Sequence, residues 1–452
     1  MRSSAGIALV LSGTLTSGGV GTGVGVDELR AHVQALTARD MGGRLTGSRG
    51  AQRAAEYISA EFEALGWLPF GELRRWPFDL PGEVPDASEC ALTIEVEDRH
   101  LVLGADFWPV VGAPGSARGE VRVAAGPTQL RDGGWRDRIA VLDWELLEPG
   151  EDSSAGVEVD LYRRLERLRM GRAAGALVRV PDEELEFHAR WADWVATRDP
   201  ARSSRIPAVF VRAGALPDDE RLERSTVRLA SATRAGTISG ANVVGWRPAG
   251  DDPRADVVVV GAHYDHLGLD PRGRRAPGAD DNASGVAALL EIAEELAAVE
   301  LEHSVLLVAF SGEEQGLYGS RALADELTRR GLTLSAMLNM DMIGRGAADE
   351  LAVLGARERP PLARLLREVR AALDPELRLD LARDAGLFRR SDHYAFHEHD
   401  VPSLFFFEGL PIRSNNDYHT WRDTMQALDF DKIQRTARFV AAVTARLAGA
   451  RP

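Results

Sequence analysis

The side chains able to do chemistry in this sequence stand at the ends of apolar runs. Residues 257–260, four consecutive valines, lead into Gly261-Ala262-His263-Tyr264-Asp265-His266. Residues 305–310 lead into Ser311-Gly312-Glu313-Glu314, and 336–340 into Asp341. After the run Leu404-Phe405-Phe406-Phe407 comes a loop with Asp417-Tyr418-His419-Thr420, and Gly278-Ala279-Asp280-Asp281-Asn282 precedes a helical pattern. In open α/β sheets ligands bind outside the carboxyl ends of the strands, so these segments would share one edge. Taken singly each has an ordinary explanation. His263-Tyr264-Asp265 fits a surface ion pair, Asp280-Asp281-Asn282 fits a helix N-terminus that favours negative charge, and Glu313-Glu314 fits a solvated pair. Together they crowd like charges, which is destabilising without a cation. A bound divalent metal cluster removes that objection.

Cys90 is the only cysteine, so a metal must be held by His, Asp and Glu. Two imidazoles with several carboxylates suit zinc, with manganese or cobalt as substitutes. Adjacent residues on an extended segment point in opposite directions, so of Glu313 and Glu314 one can ligate metal while the other serves as general base. Asp265 is placed to accept the second N–H of His263 and fix its tautomer.

The elements that must position these groups follow from periodicity. From Ile238 onward strand and helix alternate: strands at 242–246, 256–260, 304–310, 335–340 and 402–407, helices at 284–299, 318–330, 361–373 and 430–447. This rhythm predicts an α/β fold, a mostly parallel sheet sandwiched by helices. The unbroken apolar runs predict strands buried on both faces. The turn-rich 248–253 between two strands reads as a surface hairpin. Upstream, Leu29, Val33 and Leu36 recur at helical spacing, and a second helix over 50–65 carries Ala54, Ile58, Phe62 and Leu65 on one face, with Ser48 at its boundary. Residues 100–234 read as a compact β-rich unit, with short runs at 119–124, 138–142, 175–180 and 206–211 around one helix near 161–172. Trp108, Trp135, Trp144, Trp191 and Trp194 fall within it and are expected to pack its core.

Charge narrows the function classes. With 54 basic against 69 acidic residues the net charge is −15, and no long basic run is present, so the composition argues against a nucleic-acid partner. No stretch reaches about 18 consecutive apolar residues, so no integral membrane segment is expected. Residues 1–25 carry one arginine, a short apolar run and a Gly/Ser/Thr-rich tract, which predicts a secretory signal or a disordered segment and hence a secreted or periplasmic protein, with the cytoplasm as the alternative.

Five motifs in order, His263-Tyr264-Asp265-His266-Leu267-Gly268, the 278–285 segment, Phe310 to Leu317, Asn339-Met340-Asp341-Met342-Ile343-Gly344 and Asp417-Tyr418-His419-Thr420, resemble those of the two-zinc metallopeptidases that include secreted leucyl aminopeptidases and aminopeptidase Y, with glutamate carboxypeptidase and glutaminyl cyclase as more distant relatives. The resemblance extends to residues 39–48 and to Ser391-Asp392-His393. It departs at Trp421, where many members have proline after His-Thr, a change in the loop beside the substrate pocket. The resemblance implies a zinc exopeptidase fold of the phosphorylase/hydrolase-like type. A discontinuous catalytic domain would span 26–99 and 235–452, with a protease-associated domain inserted at 100–234. It implies that His263 and Asp341 hold one zinc, Glu314 and His419 the other, and that Asp281 bridges them, with Glu313 as general base and Asp265 orienting His263. The implied activity is that of an aminopeptidase acting on peptides with a free N-terminus. A carboxypeptidase or dipeptidase would need a cationic pocket, for which Arg345, Arg389, Arg390 and Arg413 are candidates. A non-catalytic receptor or scaffold would have lost ligands, and none is missing. His266 is left without a role.

Overall fold

The computed structural model describes residues 25–124, 130, 134–144, 161–182, 185, 188, 204–269, 274–381, 386–408 and 415–450. The signal-like segment therefore lies outside the described residues except for Gly25, as do Trp191, Trp194 and Arg413. Among the described residues two eight-stranded sheets form. The chain enters the first with β1 (Arg75–Pro85). It then builds the second from β2 (Ala91–Ile94), β3 (Arg99–Leu101), β4 (Phe107–Pro109), β5 (Gly115–Val123), β6 (Ile139–Asp143), β7 (Gly175–Val180), β8 (Ala208–Arg212) and β9 (Thr226–Ser231). It returns to the first with β10 (Thr233–Arg247), β11 (Val257–His263), β12 (Val305–Phe310), β13 (Leu334–Met340), β14 (Glu350–Leu354), β15 (Arg378–Asp380) and β16 (Ser403–Phe407). The first sheet runs β1-β10-β12-β11-β13-β16-β14-β15, and the second runs β3-β2-β9-β5-β6-β7-β8-β4.

The middle of the first sheet is parallel, β12-β11-β13-β16, and β10 and β14 join it antiparallel on either side, with β15 parallel to β14, giving the mixed α/β architecture expected from the alternation of elements. Successive side chains on a strand point to opposite faces, and on β11 both faces are covered. Val258, Val260 and Ala262 pack with the helices Val26–Leu36, Arg49–Ala64, Gly285–Ala297, Pro360–Leu373 and Phe430–Leu447. Val257 and Val259 pack with Leu323, Ala324 and Leu327 of helix Tyr318–Arg329 and with Ala395 and Phe396 of helix His393–His397. Each helix presents one apolar stripe for this purpose. In Arg49–Ala64 the stripe is Ala54, Ile58 and Phe62, and the Ser48 side chain accepts the Ala51 amide to close its first turn.

The turn at 248–253 is not a hairpin. β12 lies between β10 and β11, pairing Val308 with Val244 on one side and Leu307 with Val260 on the other. The segment therefore connects two strands that are not neighbours. The two sheets are joined through a long antiparallel ribbon, in which β1 pairs β10 from Arg75↔Val243 to Pro85↔Thr233. The second sheet takes in Ala91–Ile94, upstream of residue 100. Its core buries Trp135 and Trp144 with Leu161, Leu165 and Leu168 of helix Leu161–Met170, and Trp108 packs at its margin. Leu45, Leu267, Leu269 and Ala276, from loops beside the site described below, are part of that same core.

Candidate metal centre

The parallel strands end at one edge, and all seven singled-out residues meet there. His263 closes β11, Glu313 and Glu314 follow β12, and Asp341 follows β13. Asp281 sits in the turn that opens helix Gly285–Ala297, and His419 lies in the loop beyond β16. His263 Nε2 is 3.3 Å from one oxygen of Asp281 and 3.3 Å from Asp341. His419 Nε2 is 3.1 Å from the other oxygen of Asp281 and 3.2 Å from Glu314. Donors bound to one tetrahedral zinc at ~2.0–2.1 Å stand about 3.3 Å apart, so each imidazole nitrogen is spaced from its two carboxylate oxygens as along the edges of such a tetrahedron. Glu313 brings a carboxylate oxygen within 4.8 Å of the His263 and Asp341 donors.

Hydrogen bonding decides which imidazole nitrogen faces the carboxylates. His263 Nδ1 is 3.1 Å from the Asp265 carbonyl, which can only accept, so Nδ1 carries the proton and the Nε2 lone pair points at two acidic oxygens. His419 Nε2, buried and without a hydrogen bond, is likewise aimed at two carboxylates. Such an arrangement needs a cation between the groups or extra protons on the rings. Burial alone would lower the His263 pKa, yet Asp341 and Glu313 carry it well above the ordinary value. For His419 burial again opposes the charge, but Glu314 and Asp281 carry the pKa up to about 10. Burial would raise the Glu314 carboxyl, but His419 and His266 hold it down to about 2. Burial, with Glu314 and Asp341 adding to it, pushes Glu313 well above the usual carboxylate range.

The supporting contacts were only partly foreseeable. Asp265 holds His263 by its main chain, and its carboxylate, 3.7 Å from that ring, instead accepts the amides of Glu313 (3.3 Å) and Glu314 (3.4 Å) and the Thr46 hydroxyl (3.1 Å). It therefore sets the segment bearing both glutamates. Ser391 donates to Asp341 at 2.7 Å and is itself held by Asn339. Asp392 beside it is fully buried, its carboxyl raised to about 7 mainly by burial. Asp423, which periodicity and motif reading passed over, accepts the Asp280 and Asp281 amides at 2.8 and 3.0 Å and so fixes the bridging aspartate. Its one signal was position, four residues beyond His419 and facing a helix N-terminus. His266 donates from Nδ1 to the second Glu314 oxygen at 2.9 Å, leaving the first for the metal side. Gly278 is required beneath that ring, because its φ is +61° and a Cβ there would stand 2.6 Å from His266 carbons. The buried Arg44 guanidinium donates to the carbonyls of Leu36, Tyr264, Pro277 and Gly278, stapling the N-terminal segment to the loops that carry His266 and Asp281.

A cleft at the centre is lined by Asp281, Glu313 and Asp341, by Arg390 and Tyr418, and by Met342, Leu387, Phe405 and Phe407, which belong to one apolar cluster. Of the other arginines considered from sequence, Arg345 is bound to Asp417 and Asn415, and Arg389 lies over the Tyr394 ring.

A mixed α/β sheet carries this donor set at its carboxyl edge, and the chain is similar to known proteins. Residues 242–444 match the model of peptidase family M28, the family that the motifs resemble. "Probable leucine aminopeptidase" of Trichophyton verrucosum is 31% identical over 199 residues, covering 42% of this chain and 54% of that protein. Aminopeptidase YwaD of Bacillus subtilis is 28% identical over 244 residues, covering 52% and 50%. The chain thus spans about half the length of the curated relatives it matches. Among solved structures, an aminopeptidase from Aneurinibacillus sp. strain AM-1 shares the fold over 96% of both chains (TM-score 0.52, 19% identity). A zinc aminopeptidase from Bacillus subtilis does so over 94% of this chain and 95% of its own (TM-score 0.53, 20% identity).

Proposed function

We propose that this chain is a zinc aminopeptidase that uses two metal ions to remove the N-terminal residue of a peptide. The observation that carries the reading is Asp281, which offers one oxygen to His263 and the other to His419, each at a distance suited to a shared metal. His263, Asp341 and one Asp281 oxygen would hold one ion, and Glu314, His419 and the other Asp281 oxygen the second. The names of the relatives, aminopeptidases in each case, favour the same activity. Bound metal would supply Lewis-acid polarisation of the scissile carbonyl and activation of a water molecule.

The chain's own residues supply the rest. Glu313, half-buried beside His263 and Asp341, takes the proton of the attacking water and passes it to the leaving amine. The acidic side of the cleft draws a protonated α-amine, and Met342, Leu387, Phe405 and Phe407 offer an apolar wall to the side chain of the first residue. No described helix is long and apolar enough to cross a membrane.

Metal analysis together with hydrolysis of leucyl p-nitroanilide tests the reading. About two zinc ions per chain are expected, with hydrolysis lost on chelation and restored by zinc. Full activity in metal-free protein would remove the proposal, and a single ion at full activity would remove its two-metal form.

A further inference from the structure

Arg390 stands in the cleft that holds Glu313 and Asp341, yet it has no carboxylate partner among the described residues. Its one polar contact among the described residues is neutral, Nη2 donating to the Tyr418 hydroxyl at 3.1 Å. Neighbouring arginines behave differently, since Arg345 is bound to Asp417 and Arg422 to the same carboxylate at 2.8 Å. Both ends of the Arg390–Tyr418 contact are fixed to the metal centre. The Tyr418 ring stacks on His419 with centroids 3.8 Å apart, and Ser391, next in sequence to Arg390, donates to Asp341. The exposed guanidinium thus lines the cleft beside Glu313 and Asp341, and among the described residues the other donors of its fork have no partner; that fork matches a carboxylate in two-point geometry.

We propose that Arg390 forms a carboxylate-binding subsite that selects among substrates. This rests on the aminopeptidase reading. The carboxylate has two sources within reach of a scissile bond, the C-terminus of a dipeptide or the acidic tip of the N-terminal side chain. Either would be held by charge-assisted hydrogen bonds, which distinguish the acid from its amide.

Equilibrium binding to the zinc-loaded Glu313→Gln protein, which holds peptides without turning them over, tests this. Leucylglycine is compared with leucylglycinamide, and glutamylglycinamide with glutaminylglycinamide. The acid of one pair should bind roughly tenfold more tightly than its amide. Arg390→Gln, added to the same protein, should abolish the difference, and Arg390→Lys should retain part of it. A preference in the first pair identifies the peptide C-terminus, and one in the second identifies the side chain. Equal affinities within both pairs, or a preference that survives Arg390→Gln, overturn the Arg390 assignment alone. Failure to bind any of the four, with no hydrolysis of leucyl p-nitroanilide by wild-type protein, overturns the aminopeptidase reading and this assignment with it.

Discussion

The two sheets of this chain are built alike and differ in what they leave at their strand ends. The second sheet also has a parallel middle, β5-β6-β7-β8, with β6 and β7 as buried as the central strands of the first. At the carboxyl end of β6 the acid is Asp143, and Arg179 meets it with hydrogen bonds of 2.6 and 2.8 Å while also reaching Asp219 at 2.5 Å. The chain thus neutralises its own charge there. At the ends of β11, β12 and β13 no described arginine or lysine pairs with the carboxylates, whose titratable partners are imidazoles and one another, and Arg44 nearby spends its donors on four carbonyls. Two sheets of similar build therefore part company on a single property: whether the acids at the edge are matched by the protein or await a cation. Chemistry follows the donors and not the architecture.

Three substitutions sharpen or break this contrast. Glu313→Gln should lower kcat on leucyl p-nitroanilide by about 10²–10⁴ while zinc content and circular dichroism stay as in wild type; retained turnover would take Glu313 out of the base role. Asp423→Asn replaces one acceptor of the Asp280 and Asp281 amides with a donor, and should weaken zinc binding by about 10–100-fold in competition with a chromophoric chelator. An unchanged affinity there would mean that Asp281 is placed without Asp423. The smallest effect belongs to the second sheet. Arg179→Met removes a pair that is partly solvent-exposed on the Asp219 side, so it should cost about 1 kcal/mol or less, a shift of a few degrees at most in the melting temperature. Zinc content and kcat should not move, and a fall in either would show that the sheets are not chemically separate.

Much of the site was legible in the sequence because its donors fall immediately after strands. His263 follows the unbroken run of valines at 257–260, Glu313 and Glu314 follow the apolar strand 305–310, and Asp341 follows a strand interrupted only by Asn339; an unbroken run reports burial on both faces without knowledge of neighbours. The order of the strands was not legible to the same degree. Residues 248–253 look like a hairpin because the strands on either side are consecutive, but strand order is set by which surfaces pair, and β12 takes the place between them.

The sequence by itself determined the element rhythm, the single cysteine that leaves no thiolate cluster, and the set of acids and imidazoles from which a metal centre can be built. Only the tertiary structure decided how those groups are held. Asp265 lies two residues from His263, yet its carboxylate serves amides 48 and 49 residues away, and Asp423 serves amides 143 and 142 residues away. A buried N–H must find an acceptor, and local sequence states that need without naming the partner. Which carboxylate arrives depends on where loops from distant strands cross, and that is fixed only when the sheet closes.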